Sequence, residues 1–224
     1  MKLKKFLLIT PTYRRPYMLR SCIMDAMNQD YKNFFHSIVI YQDNTNYDYT
    51  LVYNDLISNC LDKDGSSNIQ IGYQTKGNQH DNYINTIKQA GYTTGDIDYI
   101  VKWDDDDIHK ADYLSTINSV IDLNPGYNIY SFKLKTQLNN YHLKHGDYHN
   151  LGAFPDRAGM PNTLVFDKLA IKAILSLSAG PGFEDTAWVN HCNEIGLTFF
   201  LGKTDSFIWH IHGGNISTGD WLEP

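Results

Sequence analysis

Four consecutive aspartates, residues 104–107, have the types and spacing that most clearly indicate chemistry in this chain. They directly follow an apolar run, residues 97–101, which is typical of a buried strand. At the end of a strand, adjacent carboxylates can converge on Mg²⁺ or Mn²⁺, which prefer hard oxygen ligands and complete their coordination with substrate phosphates. The alternative is a solvated acidic turn that caps the following helix, a position where Asp is also favoured.

The first half of the chain alternates short apolar runs with segments of helical periodicity. The strands predicted there are residues 6–9, 37–41, 69–73 and 97–101. A loop over residues 11–16 is predicted after the first strand, and Pro16 suits the first turn of the helix that follows. Further helices are predicted over residues 49–61 and around an apolar face formed by Tyr83, Ile84 and Ile87. This alternation predicts an α/β fold with a mostly parallel sheet, right-handed crossovers and helices on both faces. Ligands bind outside the carboxyl ends of such strands, so the polar clusters there should meet at one edge of the sheet. Those clusters are residues 11–15, 43–45 and 104–107.

The second half of the chain is less regular, and its apolar runs predict further strands and helices. No repeat, linker or low-complexity segment interrupts it, so we expect it to extend the same domain with a smaller mixed sheet. The predicted strands are residues 127–134, 138–143 and 207–211, and the predicted helices are residues 113–121, 169–177 and 184–195.

The composition narrows the class of protein. A net charge of −6 over 224 residues provides no basic surface for nucleic acid. Cys22, Cys60 and Cys192 are odd in number and form no Cys-x-x-Cys pair, so we expect buried thiols in a reducing compartment, the cytoplasm. No stretch is long enough to span a bilayer, and residues 1–9 are interpreted as leading into a first strand rather than as a signal peptide.

Five short segments, taken in order, resemble a family 2 glycosyltransferase of the GT-A fold. The resemblance covers nearly the whole chain, and the ordered set is more specific than any single segment. The segments are Ile-Thr-Pro-Thr-Tyr-Arg-Arg at 9–15, Asp-Asn-Thr-Asn at 43–46, Lys-Trp-Asp-Asp-Asp-Asp at 102–107, Phe-Glu-Asp at 183–185 and His-Gly-Gly-Asn-Ile-Ser at 212–217.

This resemblance implies a single GT-A domain over residues 1–224. Residues 1–108 would bind a nucleotide-diphosphate sugar, expected to be a UDP-sugar, and residues 109–224 would bind the acceptor. The implied reaction is metal-dependent transfer of the sugar to a hydroxyl group, such as one on a glycan, with inversion at the anomeric carbon. Mn²⁺ or Mg²⁺ is the implied cofactor.

The resemblance also assigns the donor site. Pro11, Thr12 and Tyr13 would line the uridine pocket. Arg15 would approach the diphosphate, and Asp43 would hydrogen-bond the base.

For the metal, the resemblance makes Asp106 the direct ligand and places Asp104 at the ribose and at the water shell of the ion. Asp105, between them, is included in the nucleotide-sugar site. His212 would complete the metal shell or hydrogen-bond the phosphate, because it adjoins a Gly-Gly turn where the backbone can approach a ligand closely. The alternatives are His210 in that role, or a purely structural histidine beside the turn.

For catalysis, Asp185 resembles the base that takes the proton of the acceptor hydroxyl, and Glu184 would orient it or contact the acceptor. The alternative is that both acids stabilise the first turn of a helix. On the same helix, Trp188 either forms a platform for the acceptor or packs with Cys192 in the core.

One segment departs from the family pattern. Where the family has Ala-Arg-Asn before the acids, this chain has residues 80–85 without an arginine. Asn85 is the match for the family's Asn, while Asn82 or His80 would stand in place of the Arg that contacts base or phosphate.

The sequence disfavours two other functions. A sugar-nucleotide nucleotidyltransferase would show a glycine-rich loop with Arg and Lys after the first strand, and residues 11–13 are not glycine-rich. A non-catalytic module that binds nucleotide or glycan would not need the acids at 104–107 together with Asp185 and His212.

Overall fold

A computed structural model describes residues 3–42, 49, 68–75, 77–91, 97–134, 137–139, 163–177 and 184–211. Several predictions therefore lie outside the described residues: the roles of Asp43 and His212, the thiol of Cys60, and a helix expected over residues 49–61 apart from its first residue. The side chain of His210 lies outside the description as well.

The described residues form ten strands and five helices, which are given in chain order. They are β1 (Phe6–Tyr13), α1 (Pro16–Met27), β2 (Phe34–Gln42), β3 (Ile69–Thr75), α2 (Gln79–Gln89), β4 (Tyr99–Lys102), β5 (Ile108–His109), α3 (Tyr113–Leu123), β6 (Ile129–Leu134), β7 (Gln137–Asn139), β8 (Val165–Asp167), α4 (Lys168–Ser176), α5 (Glu184–Glu194), β9 (Phe199–Thr204) and β10 (Phe207–Ile211).

The central sheet has seven strands in the order β3-β2-β1-β4-β8-β6-β9. Strands β3, β2, β1 and β4 run parallel to one another, while β8 runs antiparallel to both β4 and β6, and β9 is parallel to β6. A smaller sheet has the order β5-β10-β7, with β10 antiparallel to β5 and parallel to β7. The predicted mostly parallel sheet and the smaller mixed sheet are both confirmed.

Helices cover both faces of the central sheet. Side chains of a strand alternate between the two faces, and here both sets are apolar and pack against helices. On one face Leu8 of β1 packs in a core cluster with residues of α1 and α3, including Cys22 and Ile117. On the other face Leu7 packs in a cluster with residues of α2, α4 and α5, including Ile84. This second core holds α2 and α5 on the same side of β4.

The prediction that the first strand ends at residue 9 and gives way to a loop over residues 11–16 was wrong for residues 11–13. Strand β1 continues to Tyr13, and Pro11 pairs with Val39 of β2. Proline cannot donate to a ladder, and it is tolerated here because pairing with β4 stops at the Ile9–Lys102 pair. The extra length brings Thr12 and Tyr13 to the same edge as the acids.

Local sequence signals begin the two helices that flank this edge. Pro16 stands in the first turn of α1, where its missing N–H costs nothing. At the start of α2 the side chain of Asn78 accepts a hydrogen bond of 2.8 Å from the backbone N–H of Asp81. Asp81 in the first turn and Lys88 in the last turn also complement the helix dipole.

Cys22 and Cys192 are buried free thiols, as expected for two of the three cysteines. Among the helices that the structure describes, none combines the length and the apolar character needed to cross a bilayer.

Trp188 of α5 is fully buried, so the packing interpretation of this residue is confirmed and the acceptor-platform alternative is wrong. Its indole N–H donates to His80 Nδ1 at 2.9 Å, and its ring meets those of Tyr83 and Phe166 edge to face. Trp188 shares its core cluster with Cys192.

We expect Trp188→Ala to lower the free energy of unfolding by about 3–5 kcal/mol, because it leaves a large cavity between α5 and the sheet. Trp188→Phe should cost less, since a six-membered ring remains and the losses are limited to the bond to His80 and the packing of the smaller indole ring. Denaturant unfolding followed by circular dichroism measures both changes. Leu169→Ala, at a position on α4 that is 57% exposed, is the matched control. Equal losses in the Trp188→Ala and Leu169→Ala proteins would contradict the packing role.

Candidate active site

The end of β4 directs successive side chains to opposite faces of the sheet. Ile100 and Lys102 point toward the core that contains α2 and α5, while Val101 and Trp103 point toward the core of α1 and α3. The chain is held here by backbone bonds from Lys102 N to Leu164 O at 3.0 Å and from Trp103 N to Ile9 O at 3.1 Å. The acids that follow therefore leave β4 from a fixed position.

Three of the four aspartates form a cluster that could hold a metal ion. Carboxylate oxygens of Asp104, Asp106 and Asp107 all lie within 4.8 Å of one another. Such an all-oxygen set suits Mg²⁺ or Mn²⁺, so the residues present fit the implied cofactor. Asp104 and Asp106 were predicted as ligands from the sequence, and the structure adds Asp107 to the set.

Asp105 is not one of these three acids and is only 5% exposed. It accepts hydrogen bonds from Thr12 Oγ1 at 2.5 Å and from Arg15 Nη1 at 3.0 Å. Burial, together with the negative charge of Asp106, raises the pKa of Asp105 to about 7, against the opposing effect of Arg15. Thr12, Arg15 and Asp105, all predicted donor-site residues, thus meet in one contact.

Arg15 also contacts one acid of the carboxylate cluster, Asp106. The same Nη1 atom donates to Asp106 Oδ2 at 2.7 Å, so the guanidinium bridges Asp105 and Asp106. Its backbone N–H donates to the hydroxyl of Tyr49 at 3.2 Å. The predicted diphosphate ligand and the predicted metal ligand are therefore in contact with each other in this state.

The residue before Arg15 has an unusual backbone conformation. Arg14 has a φ of 57°, in the left-handed region that costs a non-glycine residue energy. Its guanidinium carbon lies 4.9 Å from the centre of the Tyr13 ring, which is a cation–π geometry. This turn separates Tyr13, the last residue of β1, from Arg15, and reverses the chain into α1.

Helix α2 contributes Tyr83, whose hydroxyl donates a hydrogen bond to Asp104 Oδ1. The two residues expected to replace the family's Arg are already engaged within the protein. His80 accepts the indole N–H of Trp188, and Asn82 Oδ1 accepts the backbone N–H of Gly77 at 3.0 Å. Contact of Asn82 with a nucleotide stays a prediction.

Lys102 connects the aspartate turn to the acids at the start of α5. Its ammonium lies 2.9 Å from Asp185 Oδ1, 3.3 Å from Asp104 Oδ2 and 3.4 Å from Glu184 Oε1. It also lies 5.1 Å from the centre of the Tyr83 ring. Burial by itself would lower the pKa of Lys102, but the negative charges of Asp104 and Asp185 raise it well above the ordinary lysine value.

The two acids of α5 differ in protonation although they are adjacent. Burial raises the pKa of Glu184 to about 9, despite the opposing charge of Lys102. Burial also opposes ionisation of Asp185, but Lys102 and a hydrogen bond from Glu184 outweigh it and lower its pKa. Because the pKa of Glu184 is raised and that of Asp185 is lowered, a proton held by this pair lies on Glu184.

Beneath the aspartate turn lies a buried group of polar aromatic residues. Trp103 stacks on His109 with ring centres 3.6 Å apart, and Tyr113 and His36 contact the same pair. Burial lowers the pKa of His36 to about 3 and that of His109 well below the ordinary value, so both rings are neutral. In addition, Thr10 Oγ1 contacts His36 Nε2 at 2.8 Å and donates to the carbonyl oxygen of Trp103.

Most of the predicted site residues within the described part of the chain come together. Asp104, Asp106, Arg15, Thr12 and Asp105 share direct contacts, and Asp185 and Glu184 join them through Lys102. Sequence reasoning missed Lys102, although a lysine inside an apolar strand signals a buried charge that needs partners. It also missed Tyr83, because the helical pattern of α2 shows this residue only as part of an apolar face.

In comparisons with known proteins, no protein-family model and no curated protein matches the chain. Solved structures do match. S. aureus TarS 1-349 in complex with UDP-GlcNAc has a TM-score of 0.71 and 14% sequence identity, over 97% of this chain and 62% of that one. The mannosyltransferase PcManGT from Pyrobaculum calidifontis, in complex with GDP-Man and Mn²⁺, has a TM-score of 0.67 and 10% identity, over 96% of this chain and 59% of that one.

These likenesses establish the class of fold. The expected GT-A architecture, with its mostly parallel sheet and its helices on both faces, is confirmed. This chain spans less than two thirds of the length of either structure. At 14% and 10% sequence identity, what these structures share with this chain is the fold.

We expect the free energy of unfolding to depend less on pH in the Glu184→Gln protein. Burial raises the pKa of Glu184 from its ordinary value of 4.5 to about 9, so between these values the folded chain binds a proton that the unfolded chain has released. Stability from this group is therefore lost as pH rises through that interval.

Denaturant unfolding at constant ionic strength, from roughly pH 5 to 9, measures the slope. The wild type should lose more stability with rising pH than Glu184→Gln. Glu194→Gln, at an exposed position at the other end of the same helix, is the matched control. Identical slopes in wild type and Glu184→Gln would show that Glu184 is ionised in the folded protein.

Proposed function

We propose that the chain is a metal-dependent glycosyltransferase. It moves a sugar from a nucleotide-diphosphate donor, a UDP-sugar, to an acceptor hydroxyl group on a glycan, with inversion, as the resemblance to family 2 implies. Residues 1–108 bind the donor and residues 109–224 bind the acceptor. A single observation carries the proposal: a three-carboxylate cluster and the Asp185 carboxylate flank one buried lysine at the carboxyl end of β4.

The arrangement suits displacement at an anomeric carbon. The acceptor oxygen forms a bond to this carbon while its proton passes to the Asp185 carboxylate. The bond from the anomeric carbon to the β-phosphate oxygen breaks, and its electron pair leaves with the nucleoside diphosphate. A divalent ion held by Asp106, with Asp104 and Asp107 beside it, would neutralise the charge that builds on this leaving group.

The donor assignment is supported by position. Pro11, Thr12 and Tyr13 end the strand next to β4, where α/β folds bind nucleotides. TarS 1-349 was solved with UDP-GlcNAc and PcManGT with GDP-Man and Mn²⁺, so proteins of this fold hold both kinds of donor. Asp43 at the base and His212 at the metal or phosphate remain part of the proposal on the resemblance alone.

The first test is a screen of nucleotide sugars by thermal unfolding, with and without Mn²⁺. A ligand that binds the folded state raises the unfolding temperature. We expect a UDP-sugar to do so only with Mn²⁺ present, and Asp106→Ala to abolish this metal-dependent rise because a direct ligand is lost.

Asp122→Ala, at an acid of α3 paired with Lys4 at the opposite end of β1, should keep the metal-dependent rise. Mn²⁺-dependent nucleotide binding by Asp106→Ala, as strong as in the wild type, would contradict the ligand assignment. Binding without any hydrolysis or transfer of the donor would favour the non-catalytic module instead.

We expect Asp185→Asn to bind the donor normally but to lower kcat by ~10²–10⁴-fold, because an amide cannot take the proton of the acceptor hydroxyl. Donor affinity is measured by calorimetry and turnover by release of the nucleoside diphosphate. Asn193→Asp, an exposed position near the end of the same helix, should leave kcat unchanged. Wild-type turnover in Asp185→Asn would mean that another group serves as the base.

A further inference from the structure

Lys102 is placed where a lysine is costly. It ends the central strand β4, and its side chain is 3% exposed. Removing an ammonium group from water is unfavourable by several kcal/mol unless opposite charges compensate it closely. The chain meets this cost with carboxylates from two separate stretches: Asp104, two residues later, and the acids of α5, with Asp185 lying 83 residues away in sequence.

Lys102, Tyr83 and Asp104 each contact the other two. The ammonium lies over the Tyr83 ring at 5.1 Å, and the Tyr83 hydroxyl donates to Asp104, which is itself paired with Lys102. Three elements, α2, β4 and α5, are thus connected through one cation. Movement of the ammonium would disturb the aspartate turn and the start of α5 together.

The Asp185 carboxylate has two possible partners, the backbone N–H groups at the start of α5 and the ammonium group of Lys102. It stands in the first turn of α5, where the backbone N–H groups lack partners within the helix and attract carboxylates. The 2.9 Å contact with Lys102 instead holds one oxygen of Asp185 toward β4 and the aspartate turn. A purely capping acid would not need a buried lysine on the neighbouring strand.

We propose that Lys102 is a positioning residue for the transfer reaction and that it holds the Asp185 carboxylate in place relative to the metal-binding turn. The inference rests on the proposed function and adds to it a residue that touches neither donor nor acceptor. It is the carboxylate of Asp185 that reacts. Lys102 determines where this carboxylate lies.

The expected loss of kcat without Lys102 follows from how sensitive a reaction rate is to the position of the reacting group. Displacing a reacting group by about 1 Å can cost ~10²-fold in rate, even when the change lies outside the reacting atoms. Lys102→Met keeps a chain of similar length but removes the charge. We expect kcat to fall by ~10²-fold and the KM for the donor to stay within about threefold of the wild type.

Binding of Mn²⁺ separates positioning from general support of the structure. Because Lys102 pairs with Asp104, its loss removes a cation that competes for the cluster, and Mn²⁺ affinity should be retained or increased. Electron paramagnetic resonance of free Mn²⁺ measures this without any turnover. Lys4→Met, which removes the ion pair with Asp122 at the far end of β1, is the matched control and should change neither kcat nor Mn²⁺ binding.

Rescue by an added cation is a second readout. In Lys102→Ala, ethylammonium can enter the space left by the side chain and donate to Asp185. We expect it to restore kcat at least tenfold, whereas tetramethylammonium, which has no N–H group, should not.

If Lys102→Met does not fold, Lys102→Gln replaces it in the same measurements, because it keeps a hydrogen-bond donor without the charge.

The outcomes separate this proposal from the proposed function. A wild-type kcat in Lys102→Met overturns the positioning role, and so does a fall in kcat accompanied by an equal loss of Mn²⁺ affinity. A crystal structure of Lys102→Met decides the point without activity: displacement of the Asp185 carboxylate supports the proposal, and an unmoved carboxylate overturns it. Absence of nucleotide-sugar binding by the wild type would overturn the proposed function and, with it, the role of Lys102 in transfer, whereas the preceding outcomes overturn the positioning role and leave the proposed function standing.

Discussion

Carboxylates gathered at the end of β4 repel one another, and this part of the fold is stable because two cations lie among them. Arg15 binds Asp105 and Asp106 from the side of β1 and α1, and Lys102 binds Asp104 and Asp185 from within the sheet. Protonation of Glu184 removes one further negative charge from the same region. The fold thus concentrates acids at a single edge while keeping the local charge tolerable.

The periodicity of the chain was enough to predict the parallel part of the sheet and most of its helices. Pro16 indicated the start of α1, and the apolar runs near residues 6, 37, 69 and 97 became β1 to β4. Strands β5 and β8 were missed because two or three residues are too few to show an alternation. Strand β9, Phe199–Thr204, was missed too, although its six residues are long enough. The end of β1 was misjudged because Pro11 was interpreted as a break.

The candidate site was predictable where the residue types themselves suggest chemistry. Aspartates beside a strand indicate a cation site, and the Glu184–Asp185 pair was found through its resemblance to a known segment. Lys102 and Tyr83 could not be assigned this way, because their importance comes from neighbours that are distant in sequence. The protonation of Glu184 likewise depends on burial, which only the folded structure reveals.

The contact between Arg15 and Asp106 has a thermodynamic consequence for ligand binding. In the proposed site an incoming ion and the guanidinium compete for the same carboxylate, so the ion gains less when it binds alone. A diphosphate offers Arg15 an alternative partner and relieves this competition. Ion and nucleotide should therefore strengthen each other's binding by the same factor, as linkage requires. A Mn²⁺ titration without nucleotide would then record a weaker affinity than the one that operates when both are present.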